Sequence, residues 1–194
     1  AIAMGFGFGT GEACRAMVQA VLASGRPAVL DADALTSAAE DPAALFAALR
    51  PDVLLTPHDG EFARLFPDLA ATLGETAEGK PLASRVDVAA AAAARAGATV
   101  LLKGPDTVIA SPALAEPVIV SARRALSAPW LATAGSGDVM GGMGAGVVGR
   151  GYPPPDAAAR GARLPAPPAR AVGPGLIAED LPEAVPGVLR RLGL

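Results

Sequence analysis

One cysteine, one histidine and one tryptophan occur among 194 residues, and aromatic residues make up only 4%. A single thiol, Cys14, cannot close an intramolecular disulfide, and with His58 the sole imidazole there is no ligand set for a zinc centre. Cys14 falls within a predicted helix, where the expected role is that of a small buried core residue. No apolar run reaches the roughly 20 residues needed to cross a bilayer. The first residues lack a basic, then apolar, then cleavable leader, so the expected setting is the cytoplasm. Charge is scarce too: 16 Lys and Arg against 19 Asp and Glu give a net charge of -3. With no basic cluster, nucleic acid is excluded as the main partner. No internal repeat is present.

What is abundant is apolar: hydrophobic residues are 52% of the chain and charged ones 18%, a balance for a packed core and not for disorder. The length suits one domain, residues 1–194. Glycine (23) and proline (19) are over-used. The run Ala89 to Ala94 sits in a good helix-forming context, where small residues can approach a sheet closely.

In chain order, Ala1-Ile2-Ala3-Met4 reads as a buried strand entered part-way, which implies further chain before it, and it leads into Gly5-Phe6-Gly7-Phe8-Gly9. A helix is predicted from Gly11 to Ser24, with Ala13, Met17, Ala20, Val21 and Ser24 on its packed face. Pro27 to Asp31 and Asp52 to Thr56 read as buried parallel strands, separated by a helix over Asp41 to Leu49 with Asp41 as cap and Pro42 at its first position. Phe62, Leu65 and Phe66 anchor a short helix after Glu61. Leu69 to Leu82 shows no period and is expected to be a surface excursion. Ser84 to Gly97 reads as a helix and Thr99 to Gly104 as a strand. Thr107 to Ala110 and Pro117 to Val120 are expected to extend the sheet antiparallel. Val139 to Arg150 and Asp156 to Arg163 read as helices. Leu164 to Pro168 is too proline-dense to continue the latter, and Ile177 to Leu192 reads as a helix or helix pair broken at Pro182 and Pro186.

Three apolar strands thus follow helices and end in polar residues. This alternation implies an α/β fold of three layers, a mainly parallel sheet flanked by helices. Ligands in such folds gather at the carboxyl ends of strands, so Asp31, Asp33, Thr56, His58, Glu61, Lys103 and Gly104 are expected to face one crevice. If Asp31 and Asp33 continue an extended strand, they lie on opposite sides of it and only one faces the ligand.

Thr133-Ala134-Gly135-Ser136-Gly137-Asp138 then opens a helix with small residues, which bring main-chain amides close to an anion. Asp138 beside that anion hole has the form of a base for phosphoryl transfer to a hydroxyl. Gly141, Gly142, Gly144 and Gly146 each cost about 1 kcal/mol relative to alanine in that helix, so close packing on a neighbour or a ligand must offset them.

Four stretches, Val29 to Leu35, Leu55 to Phe62, Leu101 to Thr107 and Leu131 to Val139, resemble in order and spacing the ADP- or ATP-dependent NAD(P)H-hydrate dehydratases, a branch of the ribokinase-like fold. The resemblance extends from Ala1 to the stretch Gly173 to Leu181, without the family's N-terminal segment. The family's Gly-Pro-Gly-Leu-Gly turn reads Gly5-Phe6-Gly7-Phe8-Gly9, and Ser121 to Pro129 lacks the family's Asn-containing form. The resemblance implies repair of hydrated NADH and NADPH: the ring hydroxyl is phosphorylated and phosphate then leaves. It implies ADP or ATP and Mg²⁺ as cofactors, with hydrated NAD(P)H and an adenine nucleotide as small-molecule partners, and leaves room for a homo-oligomer. Asp138 would contact the hydroxyl as catalytic base. Gly135, Ser136 and Gly137 would hold nucleotide phosphate, and Lys103, Gly104, Pro105, Asp106 and Thr107 would line the nucleotide site. Gly7 and His58 would contact the hydrated dinucleotide, and Asp33 and Glu61 would organise Mg²⁺ indirectly. A ribokinase-like kinase acting on a vitamin precursor, and a non-catalytic nucleotide-binding fragment, are the alternatives.

Overall fold

The computed structural model describes residues 1–74, 76–77, 80–121, 128–191 and 193. Among them the strands are β1 (Ile2–Met4), β2 (Ala28–Leu30), β3 (Val53–Leu55), β4 (Thr76–Ala77), β5 (Lys80–Pro81), β6 (Thr99–Leu102), β7 (Asp106–Ala110) and β8 (Val118–Ser121). The main sheet has the order β1-β2-β3-β6-β7-β8, and β4 pairs with β5 separately. The β1–β2, β2–β3 and β3–β6 pairings are parallel, whereas β7 and β8 return antiparallel.

Period-two alternation along the strands divides the core between the two faces of the sheet. Ala28, Leu30, Val53, Leu55, Val100, Leu102, Val108 and Ala110 join one cluster, while Val29, Leu54, Leu101, Ile109 and Val120 join the other. The first face is covered by α1 (Glu12–Ala23), α2 (Ala32–Ala38), α3 (Pro42–Ala48), α4 (Asp59–Leu65) and α6 (Arg85–Ala96), all of which contribute residues to its cluster. Here Phe62 packs between neighbours that include Phe66, which in turn stacks on Phe46 with ring centroids 5.0 Å apart. The second face is covered by α7 (Ser136–Gly149) and α8 (Pro154–Arg163), through Val148, Ala157 and Ala158. The sheet between two helical layers is the expected three-layer α/β arrangement. A third cluster joins α9 (Ala166–Val172) and α10 (Asp180–Arg191) to the 3₁₀ turn Pro129–Leu131 and to Val139.

Neighbours explain Gly141, against the Phe6 ring, and Gly144, against α8, but not Gly142 or Gly146. A Cβ added to Gly161 of α8 would lie 2.9 Å from the Cα of Gly144, so the two helices meet backbone to backbone. Around Gly146 nothing lies within 4 Å of an added Cβ, so packing does not require glycine there.

Three expectations need correction. The buried stripe of α1 is Cys14, Val18, Val21 and Leu22, whereas Met17 is 44% exposed; spacing of four, three and one selects the larger apolar residues over the alanines. Part of the expected surface excursion is α5 (Pro67–Gly74), opened by a proline at its first position; residues 75, 78 and 79 of that stretch lie outside the described residues. As expected, α8 ends at Arg163 before the proline-dense stretch; Pro167 and Pro168 then fall in the first turn of a new helix, α9, where a missing N–H breaks no helical bond. α10 runs through Pro182 and Pro186 as one element, although Leu192 lies outside the described residues. Residues 122–127, within the stretch that departs from the Asn-containing form, also lie outside them. Among the described residues no helix is long and apolar enough to cross a membrane.

Candidate active site

β2, β3 and β6 end on the same side of the sheet, β6 running on past the level of Leu55 to Leu102, and each hands a polar residue to the space beyond. β2 ends at Leu30, and Asp31 caps α2, its side chain accepting a hydrogen bond from the Ala32 amide at 2.8 Å. Ala32 adopts a φ of 46°, the only non-glycine positive φ among the described residues. That turn ends the strand abruptly and puts Asp33 into the first turn of α2. The pair therefore does not alternate across an extended chain as expected.

β3 ends before Pro57-His58, and His58 caps α4. Its Nδ1 accepts from the amides of Gly60 at 2.9 Å and Glu61 at 3.3 Å, while the Glu61 carboxylate accepts from the His58 amide at 2.8 Å. Because Nδ1 accepts, the ring proton is on Nε2, which lies 3.4 Å from Glu61 Oε1. The imidazole is 56% exposed and Glu61 only 4%, so His58 presents an edge to solvent over a buried acid.

β6 supplies Lys103, whose amide donates to Pro57 O at 2.8 Å. Its ammonium lies 2.6 Å from Asp31 Oδ1 and 4.0 Å from Glu61 Oε2. Asp31 is wholly buried, and burial pushes its carboxyl above the ordinary range, against the opposing pull of Lys103. Burial raises Glu61 as well, opposed by the His58 amide and Lys103. Among the described residues Asp31 Oδ2, which is buried, has no hydrogen-bond partner. It faces α7, lying 3.0 Å from where a Cβ on Gly141 would stand, with the Phe6 ring 2.8 Å from the same point.

The opposite side of the cleft is the start of α7. Gly135 precedes it with a φ of 82° and no side chain caps the helix. The Ser136 amide reaches Thr133 O at 3.3 Å. Among the described residues the amides of Gly137 and Asp138 have no partner, which leaves them as anion-binding groups at a helix N-terminus. A Cβ on Gly137 would lie 3.6 Å from Lys103 Nζ, so the lysine sits directly beneath the glycine turn. Asp138 is exposed in the first turn of α7, with no hydrogen-bond partner for its carboxylate among the described residues.

The structure thus gathers His58, Glu61, Lys103, Asp31 and Gly137 into one connected set. Asp33 is engaged differently: its Oδ2 accepts from the Gly9 amide at 2.8 Å and so secures the glycine turn that contains Gly7. Gly5 of that turn is obligatory, since a Cβ would fall 1.9 Å from Asp31 O. Gly104 and Pro105 form the turn between β6 and β7. Thr107 Oγ1 donates to Gly104 O at 3.1 Å, and Ser121 Oγ donates to Asp106 at 2.5 Å, so both side chains brace that turn.

Among the described residues no three His, Cys, Asp or Glu side chains cluster as a metal cage. Asp33 and Glu61 each spend a carboxylate oxygen on a main-chain amide. The residues therefore do not fit direct coordination by the protein, although they leave room for an ion carried by phosphates and met through water.

Sequence reasoning missed the contact between Phe6 and Gly141 and the part played by Arg85, which donates to Lys103 O at 2.7 Å and to Asp59 Oδ1 at 2.6 Å. Neither leaves a local pattern, because each arises from elements far apart in the chain.

A family model described as NAD(P)H-hydrate dehydratase matches residues 1–181. The bifunctional NAD(P)H-hydrate repair enzyme of Mycobacterium tuberculosis is 41% identical over 156 residues, 80% of this chain and 29% of that protein. The ADP-dependent (S)-NAD(P)H-hydrate dehydratase of Neisseria meningitidis is 37% identical over 83% of this chain and 51% of its own length. The chain therefore spans from about a third to about half of these relatives. Among solved structures, the ADP/ATP-dependent NAD(P)H-hydrate dehydratase of Bacillus subtilis co-crystallised with ATP and Mg²⁺ superposes with a TM-score of 0.73 at 28% identity, over 97% of this chain and 63% of that one. A ribokinase-like superfamily protein of Enterococcus faecalis shares the fold, with a TM-score of 0.71 at 21% identity. With residues 1–181 matched and the motif-bearing strand ends converging on one cleft, the chain belongs to the NAD(P)H-hydrate dehydratase family and has its ribokinase-like fold.

Proposed function

We propose that the protein repairs hydrated NADH and NADPH with an adenine nucleotide as phosphoryl donor, as a single domain over residues 1–194. The observation that carries this reading is the placement of an unpartnered carboxylate, Asp138, beside the free amides of α7, with Lys103 beneath the same turn. A base next to an anion hole is what phosphoryl transfer to a hydroxyl requires.

In this reading the phosphate end of ADP or ATP lies on the amides of Gly137 and Asp138, with Gly135 and Ser136 shaping the turn. Lys103 to Thr107 form the nucleotide side of the cleft. Gly7 and His58 contact the hydrated dinucleotide. Asp138 takes the proton of the ring hydroxyl as its oxygen attacks the terminal phosphorus and the P–O bond to the leaving nucleotide breaks. The ring C–O bond then breaks, phosphate departs, and loss of a proton from the neighbouring ring carbon restores the dihydronicotinamide. Lys103, fixed by Asp31, keeps positive charge near the migrating phosphoryl group. Mg²⁺, when carried by the nucleotide, neutralises phosphate charge, and Asp33 and Glu61 would act on it only indirectly.

Incubation with NADHX, Mg²⁺ and ADP or ATP tests the proposal through the recovery of NADH absorbance. Nucleotide-dependent recovery is expected. A phosphorylated product without NADH would indicate a kinase, and nucleotide binding without any product would indicate a non-catalytic fragment.

A further inference from the structure

Arg85 opens α6, outside every motif that points to the cleft, yet it reaches two of them. Its Nη2 donates to the carbonyl of Lys103 at 2.7 Å and its Nη1 to Asp59 Oδ1 at 2.6 Å. Asp59 is the first residue of α4 and lies between His58 and Glu61. The Lys103 amide donates to Pro57 O at 2.8 Å, so the N–H and the C=O of Lys103 are both held, one by the His58 loop and the other by Arg85. Gly104 completes the fit: a Cβ there would meet Arg85 Nη2 at 2.8 Å and Cζ at 3.3 Å, so the guanidinium packs directly against the turn.

The arrangement leaves Arg85 Nε buried without a hydrogen-bond partner among the described residues. Buried donors are nearly always satisfied, so an orphan at this position calls for a reason other than local stability. A planar fork is the side chain that can hold a carbonyl and a carboxylate at once, which a lysine cannot do with the same geometry.

We infer that Arg85 is a positioning residue for the nucleotide cleft: it clamps the β6–β7 turn to the start of α4 and thereby sets where the Lys103 ammonium stands beneath Gly137. The inference rests on the proposed phosphoryl-transfer reading for its functional consequence, but the clamp itself has an independent readout. One guanidinium ties α6 to two other elements, through Lys103 O and Asp59 Oδ1, and the lysine it steadies sits between two buried acids, where a small displacement alters the charge facing the glycine turn.

The test compares wild type with Arg85→Ala, Arg85→Lys and Asp59→Ala by amide hydrogen exchange, ADP titration and turnover of NADHX. In Arg85→Ala the Lys103 amide is expected to exchange roughly tenfold faster while amides of β2 and β3 keep their protection. The specificity constant for nucleotide is expected to fall roughly 10- to 100-fold, the scale of a misplaced catalytic group. Arg85→Lys should restore part of both effects, and Asp59→Ala should show a milder form of each. Unchanged exchange at Lys103 overturns the clamp, and a parallel loss of protection in β2 and β3 reduces it to general stability and overturns it too. Faster exchange with wild-type ADP affinity and turnover overturns the positioning role. Should wild type itself fail to regenerate NADH, the dehydratase reading falls alone, and exchange with ADP affinity still decides Arg85.

Discussion

The two walls of the cleft are built in opposite ways. On the strand-end wall, Asp31 and Glu61 are buried and Lys103 lies between them; the Ala32 and His58 amides donate to the two carboxylates, and the Lys103 amide donates to Pro57 O. On the glycine wall, Gly137 and Asp138 keep free amides, and the Asp138 carboxylate stands in solvent. The first wall is a fixed electrostatic surface whose charges are paired with one another, although Asp31 Oδ2 has no hydrogen-bond partner among the described residues. The second is left unoccupied by the protein, and that is where a ligand can bind and a proton can move. Charge that is already paired holds geometry, whereas polar groups without partners are available for chemistry.

The contrast makes mutations on the two walls fail differently. Asp138→Asn should lower kcat by about 10²–10⁴-fold, the usual contribution of a general base, while the melting temperature and ADP affinity stay near those of wild type. Turnover close to wild type would remove Asp138 from the chemistry. Lys103→Met should do the reverse first: it leaves two buried acids without their cation, at a cost of about 3–5 kcal/mol and a melting temperature lower by on the order of 10 °C. An unaltered melting temperature would mean that the acids are satisfied without the lysine.

What could be read from the sequence follows the same division. Strands and their polar ends were legible, because buried runs such as Val53-Leu54-Leu55 and Thr99-Val100-Leu101-Leu102 are bounded by turn residues, and because the glycine turn before Asp138 is local. α2 was not legible: Val29-Leu30-Asp31 reads on as extended chain, and only the left-handed Ala32 turns it into a helix with Asp31 as cap. The contact of Phe6 with Gly141 and the reach of Arg85 to Lys103 were hidden, since both join elements distant in sequence. The use of Asp33 to secure Gly9 was hidden for the same reason.

Smaller changes sharpen the comparison within the glycine wall. Gly161→Ala would set a Cβ 2.9 Å from the Gly144 Cα, and neither backbone can yield without moving a helix; a loss of about 1–3 kcal/mol in denaturant unfolding is expected. Gly146→Ala, with nothing within 4 Å of its added Cβ, should instead stabilise by up to about 1 kcal/mol through helix propensity alone. Equal effects at the two positions would contradict the packing explanation for the glycines of α7.

The smallest effect concerns pH. Because burial raises Asp31 and Glu61 above the ordinary carboxylate range, the native state keeps protons that the unfolded chain has released. Their contribution to stability is therefore fully present below the ordinary carboxylate value, and it is lost as pH rises through the window up to their raised native values. Asp31→Asn should flatten the dependence of melting temperature on pH in that window. An unchanged slope would show that Asp31 ionises like a surface carboxylate.

A crystal structure of the protein with ADP tests most directly the division between an occupied and an available wall. Phosphate oxygens are expected within hydrogen-bond reach of the Gly137 and Asp138 amides, with the Lys103–Asp31 pair intact below them. Nucleotide bound elsewhere with those amides left to solvent would contradict it.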